Sequence, residues 1–142
     1  MKSFLRAWIG LALGLAALFP AVAKADGHAS HEVVGLWDTA YVGNPPRYLV
    51  VDIGPCESDS SLYCGEIIEA PDADNPEYFL TKLILFDLQD LGEGIFGKGK
   101  VWNPLDNNVY TGKMELMENG GLKVAGCIIG ICQSQEWTRT PQ

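Results

Sequence analysis

The sequence predicts an all-β fold, an up-and-down antiparallel barrel of about eight strands, and three observations carry that reading. Short runs rich in Val, Ile, Tyr and Trp recur along the chain, separated by turn material such as "NPLDNN" (103–108) and "ENGG" (118–121). Polar and apolar residues alternate inside the runs: Tyr110, Met114 and Leu116 fall on one face, Thr111, Lys113 and Glu115 on the other. The connections are short, so strands adjacent in sequence pair in space, and each half-polar strand gives the sheet one wet and one dry face.

The N-terminal stretch stands apart. Lys2 and Arg6 precede the apolar run "AWIGLALGLAALF", Pro20 breaks it, and small residues follow at Ala21, Ala23 and Ala25. That is the layout of a signal peptide over residues 1–25, since an apolar core of about 7–15 residues is too short to span a bilayer. Cleavage after Ala23 and after Ala25 compete; the second leaves Lys24 where the peptidase is least demanding. Residues 26–32, "DGHASHE", read as a flexible polar lead-in, and 33–142 as a single barrel domain.

The barrel runs follow in order. "VVGLWDTAYV", "RYLVVDI" and "LYCGEIIE" are short, β-branched or aromatic, and bounded by Gly, Pro, Asn or Asp. "APDADNPEY" is an acidic loop interrupted by prolines. "FLTKLILFDLQDL" suits either a helical turn or a buried strand, and periodicity does not decide between them. "GIFGKGKVW", "VYTGKMELM", "LKVAGC" and a closing "QSQEWTR" complete the set, with in-strand glycines marking places where the sheet bends. Gln133, Gln135, Trp137 and Arg139 share one face of the last strand.

An even count of four cysteines in an exported chain reads as two disulfides. Cys56–Cys64 and Cys127–Cys132 are the preferred pairs. Bridged Cα atoms lie within about 7 Å, and each pair encloses turn material, "ESDSS" and Gly130. The spacings do not match zinc knuckles.

Removing Lys2, Arg6 and Lys24 from ten basic residues, against eighteen acidic ones, leaves a formal charge of −11. Such a charge repels nucleic acid, and no stretch after the leader is long and apolar enough for a membrane span. The only histidines, His28 and His31, lie in the lead-in, so a Ser-His-Asp or Cys-His site within the barrel has no histidine to use. No enzymatic activity and no cofactor are expected. One metal reading remains. Cleavage after Ala25 would expose Asp26-Gly27-His28, whose amine, amides and imidazole form the square-planar nitrogen set that Cu(II) and Ni(II) prefer. Asp72, Asp74, Asn75 and Glu77 offer oxygen ligands but lack the spacing of a calcium loop, so a solvated loop is the better reading.

Gly35-Leu36-Trp37 near the start, with Arg139 at the end, resembles the lipocalin and wider calycin signature, in which an arginine from the last strand stacks across the tryptophan. The ordered stretches "GLW", "IGPCESDSSLYCGEI", "GKVWNPLDNNVYTGKMEL", "LKVAGC" and "QEWTR" resemble a family of small exported bacterial proteins catalogued as domain of unknown function twenty-one forty-seven. The resemblance implies a calycin-like (lipocalin-like) barrel and export, and no known activity. Where that family tends to place glycine in the "NPLDNN" turn, this chain has asparagines, which tolerate left-handed backbone angles.

The expected function is non-enzymatic binding of a small apolar or amphipathic molecule inside the barrel of a periplasmic or secreted protein. The candidate interior residues are Trp37, Leu49, Val51, Ile67, Tyr110, Gly112, Met114 and Trp137, with Gln135 and Arg139 as polar groups able to orient a ligand head. The alternative is a cell-envelope protein-interaction module using the loop of Ile128, Ile129 and Ile131, which either stands exposed or folds inward to plug the barrel end.

Overall fold

A computed structural model describes residues 28–40 and 47–142. The signal-peptide reading over 1–25, together with Asp26 and Gly27, lies outside these residues. Eight strands form a closed barrel in which each pairs antiparallel with the next and the last returns to the first. They are β1 Gly35–Asp38, β2 Val50–Pro55, β3 Tyr63–Glu69, β4 Leu83–Asp90, β5 Ile95–Asn103, β6 Asn108–Leu116, β7 Leu122–Ile128 and β8 Ile131–Arg139. The ambiguous stretch divides: Pro76–Tyr78 is a single 3-10 turn, and Leu83–Asp90 is a strand. Pro76 fixes φ at the head of the turn and lacks an N–H, so that segment cannot join the sheet.

Ahead of the first strand, His28–Val33 form a short helix, α1. Six residues are too few for a helix to hold by propensity alone. Its anchor is tertiary: Val33 is fully buried and its carbonyl accepts a 2.8 Å hydrogen bond from the Trp37 indole N–H. The isoleucine loop between Cys127 and Cys132 is the tip of a hairpin pinched by its own disulfide. β7 and β8 run through both cysteines to an Ile128–Ile131 pair, leaving a two-residue turn of Ile129 and Gly130. Both have positive φ, 48° and 75°, as the right-handed twist of a tight hairpin demands.

Seam closure is short. Trp37 pairs with Arg139 and Asp38 with Thr138, and the Thr140 hydroxyl donates to the Asp38 carboxylate at 2.6 Å. Glycines allow the strands to approach elsewhere. A Cβ on Gly99 would stand 2.3 Å from the Phe86 carbonyl oxygen, and one on Gly112 would stand 2.6 Å from the Lys100 carbonyl carbon. Asn107, in the "NPLDNN" turn, takes φ 58°, as its tolerance of left-handed angles allows.

The cysteines pair as Cys56–Cys64 and Cys127–Cys132, with Cα separations of 4.9 Å and 4.1 Å. One bridge spans β2 and β3, the other β7 and β8. No described cysteine is free. Disulfides of this kind persist in oxidising compartments outside a reducing cytoplasm. Among the described residues no helix is long and apolar enough to cross a membrane.

Candidate ligand-binding site at the open barrel end

In an up-and-down barrel every second connection lies at the same end. The barrel floor therefore carries α1, the Cys56–Leu62 connection and the turns at 91–94 and 117–121. The opposite end carries residues 39–40 and 47–49, the connections at 70–82 and 104–107 and the Ile129-Gly130 turn.

The floor is filled. Trp37, Val51, Ile53, Ile67, Leu85, Leu88, Phe96 and Met114 are buried to 1% exposure or less. Arg139 lies across Trp37, its guanidinium carbon 4.1 Å from the ring centroid, and donates to the Val34 carbonyl at 2.9 Å. Partial burial lowers the Arg139 pKa from its ordinary value, and the nearby Glu32 carboxylate opposes that shift. Gly35, with φ 125°, gives the guanidinium room: a Cβ there would come within 2.8 Å of Arg139 Nη1. The Gly-x-Trp and arginine pairing is thus a lid on the closed end.

Toward the other end side chains no longer fill the interior. Two adjoining hollows of ≈ 650 Å³ and ≈ 470 Å³ share Ile84, Asn103, Pro104 and Gln135. Both are within the range of about 300–1,000 Å³ usual for small-molecule sites. Leu49, Tyr78, Phe79 and Ile84 give the larger one apolar and aromatic walls, with Thr39, Arg47 and Asp74 as polar members. Lys82 Nζ stands 3.2 Å from the Tyr78 ring centroid, a cation–π contact that holds this wall. The smaller hollow is bounded by Val101, Tyr110, Val124, Gly126, Gln133 and Trp137.

Of the ten interior candidates, Leu49 lines the larger hollow, Tyr110 and Trp137 the smaller, and Gln135 both. Trp37, Val51, Ile67 and Met114 belong to the packed floor, Gly112 to the β5–β6 contact, and Arg139 to the closed end. Gln135 and Arg139 therefore do not act together. Gln135 accepts a long 3.4 Å hydrogen bond from the Trp137 indole N–H and otherwise faces the hollow. On β8, Gln133, Gln135 and Trp137 border the smaller hollow, and so does Ser134 between them.

Ile128 and Ile131 form the rim of that hollow, while Ile129 at the turn is 96% exposed. The isoleucine hairpin stands exposed at the mouth and does not plug it. Tyr110 donates a short hydrogen bond to the Asp106 carboxylate, which holds Asp106 below its ordinary pKa and raises that of Tyr110. The Asp26-Gly27-His28 nitrogen set falls outside the described residues, the side chain of His28 included. In the acidic loop Asp74 is tied to Arg47 by two hydrogen bonds of 2.9 Å and 3.2 Å.

Arg47, Asp74, Tyr78, Phe79 and Ile84 are site residues that strand patterning passes over. Four of them lie in or beside connections, where alternation carries no signal. The usable signal was topological: counting turns puts 47–49 and 70–82 at one end.

A family described as an uncharacterized protein conserved in bacteria (DUF2147) matches residues 35–139. Among solved structures, the protein HP1028 from the human pathogen Helicobacter pylori, described as belonging to the lipocalin family, is similar with a TM-score of 0.59. The identity is 17%, over 77% of this chain and 83% of that one, a likeness of fold alone. No curated protein matches this chain.

Proposed function

This chain belongs to that uncharacterized bacterial family, and we propose that it is a non-enzymatic binder of a small apolar or amphipathic molecule, working in the periplasm or outside the cell. The observation that carries the reading is the change in packing along the barrel axis. Large side chains fill the floor, whereas the upper interior keeps ≈ 650 Å³ and ≈ 470 Å³ of adjoining space behind apolar walls. Large side chains could have filled that space, as they do in eight-stranded barrels with solid interiors. The lipocalin-family likeness agrees with a cup-shaped barrel.

A binding role without catalysis is supported by the titratable groups at the site. Tyr110, on the wall of the smaller hollow, is linked to Asp106 outside the lining, and the two are shifted in opposite directions, the carboxyl down and the phenol up. Both shifts move away from neutral pH, where a general acid or base works best. All four cysteines are in disulfides, which removes thiol nucleophiles.

Native mass spectrometry of the protein recovered from its own producing cells tests the proposal. An added mass present natively and lost on denaturation is expected. A bare native mass, together with no change in tryptophan fluorescence on titration with 1-anilinonaphthalene-8-sulfonate, would overturn it.

The second reading, a protein-interaction role for the mouth, is favoured by one feature. Ile129 is a β-branched residue held at φ 48° and exposed to water, a costly choice at a turn position where Asn or Gly would be relaxed. Under this reading Ile129→Asp abolishes in-cell crosslinking to a neighbouring envelope protein while the barrel stays folded. Unchanged crosslinking removes it.

A further inference from the structure

We infer that the molecule held at the open end is an acidic amphiphile whose carboxylate takes the place of Asp74 on Arg47, a step that rests on the binding role proposed above. Arg47 and Asp74 are the only charged side chains among the described residues lining either hollow. Arg47 is thus the one cation among the described lining residues, and its partner is a carboxylate belonging to the protein.

The two partners are unequally committed. The Arg47 side chain is 42% exposed and Asp74 86%. Asp74 gives up little solvation in the pair and regains little by leaving it. An exposed pair of this kind contributes weakly to stability, so its exchange for another carboxylate is cheap. The guanidinium meets Asp74 in a two-pronged arrangement, Nη1 to Oδ2 at 2.9 Å and Nη2 to Oδ1 at 3.2 Å. That fork is selective for planar oxyanions, and an incoming carboxylate would present the same two oxygens.

An apolar tail has a place to go. Leu49, Phe79 and Ile84 line the hollow that contains Arg47, and Ile84 and Gln135 lead into the second hollow beside Val124 and Trp137. The chain's net negative charge opposes the approach of an anion from afar. At physiological salt that repulsion is screened beyond about 8 Å, so contacts at Arg47 decide affinity.

Three amphiphiles of one tail length test this on the exported chain: dodecanoate, dodecanol and dodecyltrimethylammonium, titrated by calorimetry below their micelle concentrations. Dodecanoate is expected to bind about threefold more tightly than dodecanol, because its carboxylate exchanges for Asp74 in a partly exposed pair. Arg47→Gln should erase that preference, bringing dodecanoate down to the affinity of dodecanol for the same variant. Asp74→Asn, which removes the competing carboxylate, should strengthen dodecanoate binding about threefold. Equal binding of dodecanoate and dodecanol, tighter binding of the ammonium, or an acid preference that survives Arg47→Gln would overturn the inference and leave the binding role standing. Failure of all three probes to bind would remove the binding role as well. If Arg47→Gln does not fold, the dodecanoate response of Asp74→Asn decides.

Discussion

Trp37 and Arg139 show how much one contact can organise. The indole N–H is satisfied by Val33, the ring face by Arg139, and the guanidinium by the Val34 carbonyl, so three elements meet at one residue. Much of the guanidinium remains open to solvent, so its contribution is screened. Arg139→Ala is expected to cost about 1 kcal/mol in urea unfolding, mostly from lost packing and one hydrogen bond. Tyr110 and Asp106 form a second residue-scale unit with a pH signature. The Asp106 carboxyl is held below its ordinary value of 3.8, so the stability it contributes is present above that value and lost as pH falls through the lowered one. The Tyr110 phenol is held above its ordinary value of 10.0, so its contribution is present below that value and lost as pH rises through the raised one. Unfolding of Tyr110→Phe and the native chain across pH should therefore differ most at intermediate pH and converge toward both extremes. A difference independent of pH would mean that the pair is not coupled in solution.

At the scale of elements, the β7–β8 hairpin joins a sequence oddity to a conformational one. Its turn carries Ile129 at positive φ, where Asn relaxes the backbone. Ile129→Asn is expected to raise the unfolding free energy by roughly 1 kcal/mol, because it removes strain without removing a buried contact. A loss of stability would mean that the isoleucine packs against the rim in solution. The neighbouring disulfide joins directly opposed residues of the two strands. Replacing Cys127 and Cys132 by serine is expected to cost about 2 kcal/mol, less than for a bridge closing a long loop. α1 follows the opposite logic: six residues with no intrinsic tendency to persist, held through Val33.

The described barrel has a solid lower half and a hollow upper half, and two of its glycines, Gly112 and Gly126, separate stability from binding. A side chain at Gly112 would collide with the Lys100 and Val101 backbone, at 2.6 Å and 2.8 Å, between paired strands. Gly112→Ala is therefore expected to destabilise the barrel by about 2 kcal/mol and to say little about ligands. At Gly126 a Cβ would meet the Val101 and Tyr110 side chains at 3.1 Å and 3.2 Å, on the wall of the smaller hollow. Gly126→Leu is expected to keep the fold by circular dichroism and to weaken amphiphile binding several-fold by filling that space. If Gly126→Leu binds as the native chain does, the ligand occupies the larger hollow alone.

The strands other than β4, the antiparallel order, both preferred disulfide pairings and the alternating faces of the C-terminal strands were legible in the sequence, because alternation, turn residues and cysteine spacing are local quantities. Trp37 and Arg139 were legible as a pair closing one end of the barrel through the resemblance to the calycin signature. The helix at 28–33, the two-residue turn at Ile129-Gly130 and the contents of the hollow were decided by tertiary structure. Alternation tells which side chains point inward and is silent about their depth along the barrel axis. Trp37, Met114, Gln135 and Trp137 thus read alike, although some are buried in the floor and others face the hollow. Arg47 and Asp74 are 27 residues apart in connections that bear no pattern, and only barrel closure brings them together.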